Sequence, residues 1–211
     1  EPTPTIPNAA DVRDFAESIP GVDTVTPQIT SFGILRLDDD EFSGEDGSAF
    51  SLLFGIEPGS YARTFDNVQV LEGDYLESGQ EGIMISRDRV EGMERGMRRT
   101  LRDAADERWG WSGIADPYRR WARESVEAPE LRVGDQIRVT SVSSGGLPRI
   151  RVVPLAAIYE PISETEGVGT EFITYLDADT QRALQGLTVG RISDFDLDES
   201  ATSLLDLDAD G

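Results

Sequence analysis

Leu131-Arg132-Val133-Gly134-Asp135-Gln136-Ile137-Arg138-Val139-Thr140-Ser141-Val142 reads as a glycine-led turn feeding a strand. The Gly145-Gly146 pair behind it turns the chain back into a longer strand, Arg149 to Tyr159, in which Pro154 marks a bulge or an edge position. This hairpin makes the body β-rich, and strand-like segments lie on both sides of it. Upstream come Val22 to Thr26, Ile29 to Leu37 and Phe50 to Ile56, the last two predicted as a hairpin around a solvated acidic loop from Asp38 to Gly47. Pro58-Gly59 is expected to turn the chain, and Gly73, Gly79 and Gly82 punctuate the approach to a short strand at Ile83-Met84-Ile85. Downstream, Phe172 to Leu176 reads as a strand, Asp177 to Leu187 as a short helix and Arg191 to Leu197 as a further strand.

A first helix is predicted near the start. Asn8 stands at its cap, Val12, Phe15, Ala16 and Ile19 follow helical spacing, and Pro20-Gly21 ends it. Strands outnumber helices, so the expected class is α+β, a mixed or antiparallel sheet with flanking helices.

The segment from Ser86 to Val126 differs from the rest. It holds ten arginines against eight acids, whereas the remainder holds nine arginines against thirty-three acids. All three tryptophans lie in it. Val90, Met93, Met97, Leu101 and Ala105 make one apolar stripe of a helix. After a break from Gly110 to Gly113, Asp116-Pro117 gives a cap and first-turn pair for a second helix carrying Tyr118, Trp121 and Ala122 on one face. The expected organisation is a core body over residues 1–85 and 127–197, a helical insertion over 86–126 and an acidic tail over 198–211. Trp109, Trp111, Tyr118 and Trp121 are the candidate partner-binding residues, because aromatic and arginine-rich helix faces suit interface hot spots. The competing reading is that Met93, Met97, Trp109 and Trp121 pack the insertion onto the body.

Composition excludes whole classes of chemistry. The 211 residues contain no histidine and no cysteine, which removes Ser-His-Asp and Cys-His nucleophile systems and the zinc and iron–sulfur sites built on those ligands. All nineteen basic residues are arginines, set against 41 acids for a net charge of −22. That balance argues against nucleic acid, whose binding draws on basic contacts to phosphates. Dense carboxylates repel one another and are screened by concentrated salt, so a saline or alkaline source is expected, with a GC-rich genome and an acidic extracellular surface as the alternative. The scattered acids give no pointer to a glycosidase pair. No apolar run of about 18 residues occurs. The acidic, proline-rich opening Glu1-Pro2-Thr3-Pro4-Thr5-Ile6-Pro7 reads as a spacer or the start of an excised piece. At the far end Asp206-Leu207-Asp208-Ala209-Asp210-Gly211 matches the first half of an EF-hand loop, making Asp206, Asp208 and Asp210 weak candidates for calcium.

The order of these signals resembles a known family. Phe15-Ala16-Glu17-Ser18-Ile19-Pro20-Gly21-Val22 leading into Val25-Thr26-Pro27-Gln28-Ile29, then Phe54-Gly55-Ile56-Glu57-Pro58, Leu71-Glu72-Gly73-Asp74-Tyr75-Leu76, Glu81-Gly82-Ile83-Met84-Ile85-Ser86, Leu131-Arg132-Val133-Gly134-Asp135-Gln136-Ile137, and Phe172-Ile173-Thr174-Tyr175-Leu176 with Thr180-Gln181-Arg182-Ala183-Leu184 are similar to successive motifs of the MacB-like periplasmic core domain of FtsX-like ABC transporter permeases. The likeness runs from Asp11 to Leu187. It departs from the family at the strand around Val153-Pro154-Leu155, in the length of the helical insertion and after Leu197, where the closing βαβ stretch is not evident. The resemblance implies an extracytoplasmic, non-catalytic domain of a membrane protein. ATP would be hydrolysed by a separate ATPase subunit or domain, and this domain would move with that cycle while engaging an extracytoplasmic substrate or partner protein. It also implies a dimer of permease units. The alternative from another class is a free secreted binding or adhesion module. Read from the residues alone, Gly55, Gly73 and Gly134 stand at strand ends where a turn requires positive φ.

Overall fold

The computed structural model describes residues 8–39, 47–109, 130–143, 146–162 and 172–187, excepting the side chains of 105–109. Within them the chain runs α1 (Ala9–Glu17), β1 (Gln28–Leu37), β2 (Ala49–Ile56), α2 (Pro58–Thr64), β3 (Val68–Gly73), β4 (Ile83–Ser86), α3 (Arg87–Trp109), β5 (Gln136–Val142), β6 (Pro148–Pro161), β7 (Ile173–Asp177) and α4 (Ala178–Gln185). The architecture is α+β, as the sequence predicts.

Two antiparallel hairpins, β1–β2 and β5–β6, form where the turn signals put them. The long strand β6 joins them into one object. Its first half pairs with β5, and beyond Pro154 its second half pairs antiparallel with β3 and parallel with β4. The full order is β3-β6-β4-β7-β2-β1-β5, with β5 also paired to β6. Six strands therefore form a closed circuit, and β3 lies outside it on β6. Pro154 is the last β6 residue in the ladder with β5, opposite Gln136. The register then slips by one at Ala156, between the pairs Ile83–Leu155 and Met84–Ala157. A residue without an N–H sits where β6 changes partners, and the neighbouring bulge bends the strand.

Alternation along the strands builds two cores. Leu35, Leu53, Ile83, Ile85, Ile137, Val139, Val153, Leu155 and Leu176 fill one. Ile56, Tyr61, Met84, Ala157, Tyr159, Ile173 and Tyr175 fill the other, under α2. The middle strands β4 and β7 are buried on both faces, which is why Ile83-Met84-Ile85 is an unbroken apolar run. Val90, Met93 and Met97 of α3 join the first core, with both methionines fully buried and Leu101 packed against it. The predicted stripe thus packs on the sheet from Val90 to Leu101, each methionine contributing roughly 1.5–3 kcal/mol by burial, while the Ala105 side chain lies outside the described residues. Leu184 of α4 enters the same core.

Local structure departs from the sequence reading in five places. Asn8 does precede α1, but in the left-handed conformation (φ 56°) with no side-chain cap bond. The stripe Val12, Phe15, Ile19 of that helix is exposed rather than packed. Residues 22–26 join no strand. Pro58-Gly59 opens α2 instead of a turn, because proline at the first helical position is preset for a helix. The strand β3 was hidden by the glycine punctuation at its end, where Gly73 takes φ +77°. The strand expected at Arg191 to Leu197, the second helix expected in the insertion and residues 40–46 of the expected acidic loop lie outside the described residues.

Candidate interaction surface

The outward-facing residues of the four adjacent strands β2, β1, β5 and β6 form three cross-strand rows. Phe50, Ile34, Thr140 and Ile150 make the middle row, each opposite the next. On one side lie Leu52 opposite Phe32, and Val142 opposite Pro148. On the other lie Arg36, Arg138 and Val152. The Phe32 and Phe50 rings stack with centroids 5.6 Å apart and planes at 14°. Both are more than half exposed, at 60% and 58%, as are Val142 at 61% and Ile150 at 58%; Ile34 and Val152 are also exposed. An apolar face of this extent is rare on a protein surface left to water. None of these rows carries a carboxylate, in a chain with 41 of them. At its margin Asp38 accepts from Nε of Arg138 at 2.7 Å, a pair with both side chains roughly three-quarters buried.

Beneath this face, α4 holds the strands from within. Asp177 Oδ1 accepts the Thr180 N–H at 2.8 Å to start the helix, and Gly186 closes it at φ 71°. Gln181 Nε2 donates to Ser31 Oγ at 2.5 Å, and Gln185 Nε2 donates to Ser141 Oγ at 3.2 Å. Ser141 Oγ in turn donates to the Phe32 carbonyl at 2.8 Å. Gly55 lies under Gln181, and a Cβ there would overlap the Gln181 Cβ. Gly55 is glycine because of this close approach. The positive φ expected at all three strand-end glycines is found at Gly73 and at Gly134 (φ +98°) but not at Gly55.

The second core contains a tyrosine cluster. Tyr159 donates to the Ile173 carbonyl at 2.6 Å, and Asn67 Nδ2 donates to the Tyr175 hydroxyl at 3.2 Å. Burial, then the neighbouring Tyr61, pushes the Tyr75 phenol up to about 12. The same two causes raise the Tyr175 phenol well above the usual tyrosine range.

A groove of about 690 Å³ opens between α3, the end of β3 and residues 130–133. Glu72, Glu91, Glu94 and Glu130 line it together with Arg87 and Arg132. Glu94 is committed to the Leu131 N–H at 2.9 Å, and Arg87 to Glu160 at 3.0 Å. Among the described residues no three carboxylates converge in a geometry that would hold a metal ion.

Of the partner-binding candidates, Trp109 ends α3 but its side chain lies outside the described residues, as do Trp111, Tyr118 and Trp121 entirely. Asp206, Asp208 and Asp210 also lie outside them. The exposed face on β2, β1, β5 and β6 escaped the sequence reading. The signal was present as apolar residues on both faces of Ile29 to Leu37 and Phe50 to Ile56, which a strand needs only when both faces are covered.

No protein-family model matches this chain. No curated protein matches it either. Among solved structures it is similar to the extracellular domain of the noncanonical ABC-type transporter YknZ from Gram-positive bacteria, with 14% identity and a TM-score of 0.43. That match covers 83% of this chain and 65% of the other, so the chain spans somewhat less than two-thirds of that domain. Among the described residues no helix is long and apolar enough to cross a membrane.

Proposed function

We propose that this chain is an extracytoplasmic domain of an ABC transporter permease, which engages a substrate or partner protein and transmits ATP-driven movement without catalysing a reaction itself. The observation that carries the reading is the ordered series of family-like motifs from Asp11 to Leu187. Each motif coincides with a structural junction. Gly55-Ile56-Glu57-Pro58 passes from β2 into α2, Leu71-Glu72-Gly73 ends β3, Gly134-Asp135 enters β5, and Tyr175-Leu176 passes through β7 to α4. A closed six-strand ladder with two helices packed in its core is a stiff body suited to carrying force, since packed interiors transmit strain. The ATPase acts in this reading through the membrane part, and permease units pair there. Trp109, Trp111, Tyr118 and Trp121 are the partner-specific contacts in this reading, and Asp206, Asp208 and Asp210 are a calcium proposal to be tested by calorimetry.

The test is the complete reading frame and its hydropathy. One apolar span of about 20 residues upstream and three downstream, with an ATPase gene alongside, is the expected result. A cleavable signal peptide upstream and a stop codon soon after Gly211 would sink the reading in favour of a secreted binding module.

A further inference from the structure

From the exposed sheet face we infer a homodimer: the outward rows of β2, β1, β5 and β6 pack against the same rows of a second copy of this chain. The inference does not depend on the transporter reading, because it uses only this surface and the charge of the chain.

Three observations select a second copy. The first is extent. Phe32, Phe50, Ile34, Val142, Ile150 and Val152 are all exposed, at between 39% and 61%. Together they offer on the order of 600 Å² of apolar surface. Two such faces remove about 1,200 Å² from water, the lower end of a standard specific interface.

The second is charge. Two copies at −22 each repel wherever their carboxylates meet. The three rows carry none, and their two arginines, Arg36 and Arg138, are the only charges in them. Here two copies can approach at contact distance with least cost. A lipid surface is a poorer fit, since the remaining acids face an anionic leaflet unfavourably.

The third is shape. The middle row Phe50-Ile34-Thr140-Ile150 spans four adjacent strands, and sheet faces of this kind pack about 10 Å apart as aligned layers. A two-fold axis running along the middle row, between the two faces, sets that row against its counterpart and the Phe32 row against the arginine-bearing row of the second copy, so the arginines do not meet one another, and it closes the assembly at two copies. The same acids that keep copies apart elsewhere make the association depend on salt, because screening weakens the long-range repulsion while leaving the apolar contact intact.

The test is sedimentation velocity on the chain, across a range of concentrations, at about 0.1 M and about 2 M NaCl. The expected result is a monomer–dimer equilibrium that tightens at least tenfold in high salt. Phe32→Asp, checked for its fold by circular dichroism, is expected to weaken it more than tenfold, whereas Phe15→Ser on α1 leaves it unchanged. Should Phe32→Asp fail to fold, Ile150→Thr serves in its place. Because the chain has no cysteine, Thr140→Cys supplies a clean second readout. With the two sheets about 10 Å apart a direct disulfide is out of reach, so a bis-maleimide with a spacer of roughly 8–10 Å is expected to give a covalent dimer at this position, and Ser60→Cys is expected to give none. A monomer at every concentration and both salts would overturn the inference. So would a dimer indifferent to both face variants, or a monomer that instead binds anionic phospholipid vesicles through Phe32.

Discussion

Gln181 of α4 occupies the space that a side chain on Gly55 of β2 would need, so helix and strand touch there without an intervening Cβ. The contact joins residues 126 positions apart and aligns Gln181 to reach Ser31 on the next strand. It predicts that Gly55→Ala lowers stability by about 1–3 kcal/mol through overpacking. Thermal or urea unfolding measures this. Adding Gln181→Ala, which leaves the Cβ in place, should recover little, while Gln181→Gly should recover more.

Met97 lies fully buried between α3 and the sheet, against Gly47. Met97→Ala is expected to cost about 2–5 kcal/mol, the range for emptying a packed core position. A cost below about 1 kcal/mol in a urea titration would mean that α3 packs loosely on the body.

The tyrosine cluster predicts alkaline behaviour. Tyr75 keeps its proton in the folded chain up to about pH 12, against 10.0 for an ordinary phenol, and Tyr175 is raised in the same direction. Below pH 10 both folded and unfolded chains hold these protons, and stability is unaffected. Between about 10 and 12 the unfolded chain gives up its proton first, so stability falls as pH rises through that window. Phenolate absorbance should show at least one tyrosine ionising late and together with unfolding. Tyr75→Phe should leave a smaller loss over this range.

The charge balance predicts a response to salt. With 41 acids against 19 arginines, unfolding midpoints should rise between about 0.1 M and about 2 M NaCl as repulsion is screened. A midpoint that stays level or falls would remove the salt-adapted reading of the composition.

Asp38 and Arg138 act in the opposite sense. Their side chains are 25% and 31% exposed, and Arg138 Nε donates to Asp38 at 2.7 Å at the margin of the apolar face. Asp38→Asn is expected to cost about 1 kcal/mol at low salt and less at high salt. Denaturant unfolding of the two chains at both salts gives the difference directly.

Much of this fold is legible in the chain alone, because the signals are local. Gly134-Asp135 and Gly145-Gly146 bracket the β5–β6 hairpin, and the apolar run Ile83-Met84-Ile85 marks a strand with both faces covered. Asp177 three residues ahead of Thr180, with Gly186 behind, delimits α4. The zeros for histidine and cysteine exclude their chemistry whatever the fold. The rest depends on residues far apart in the chain. Whether a strand face is buried is settled by what packs on it, so β1 shows alternating residues whose outer set, Phe32 and Ile34, is exposed on the single chain while α4 packs under the inner set. In the same way the role of Gly55 follows from Gln181, and the closure of the ladder follows from the bend of β6 at Pro154 and Ala156, which brings β5 and β4 onto one strand. Hydrogen bonds and turns are chosen by neighbours in sequence; burial and close approach are chosen by neighbours in space.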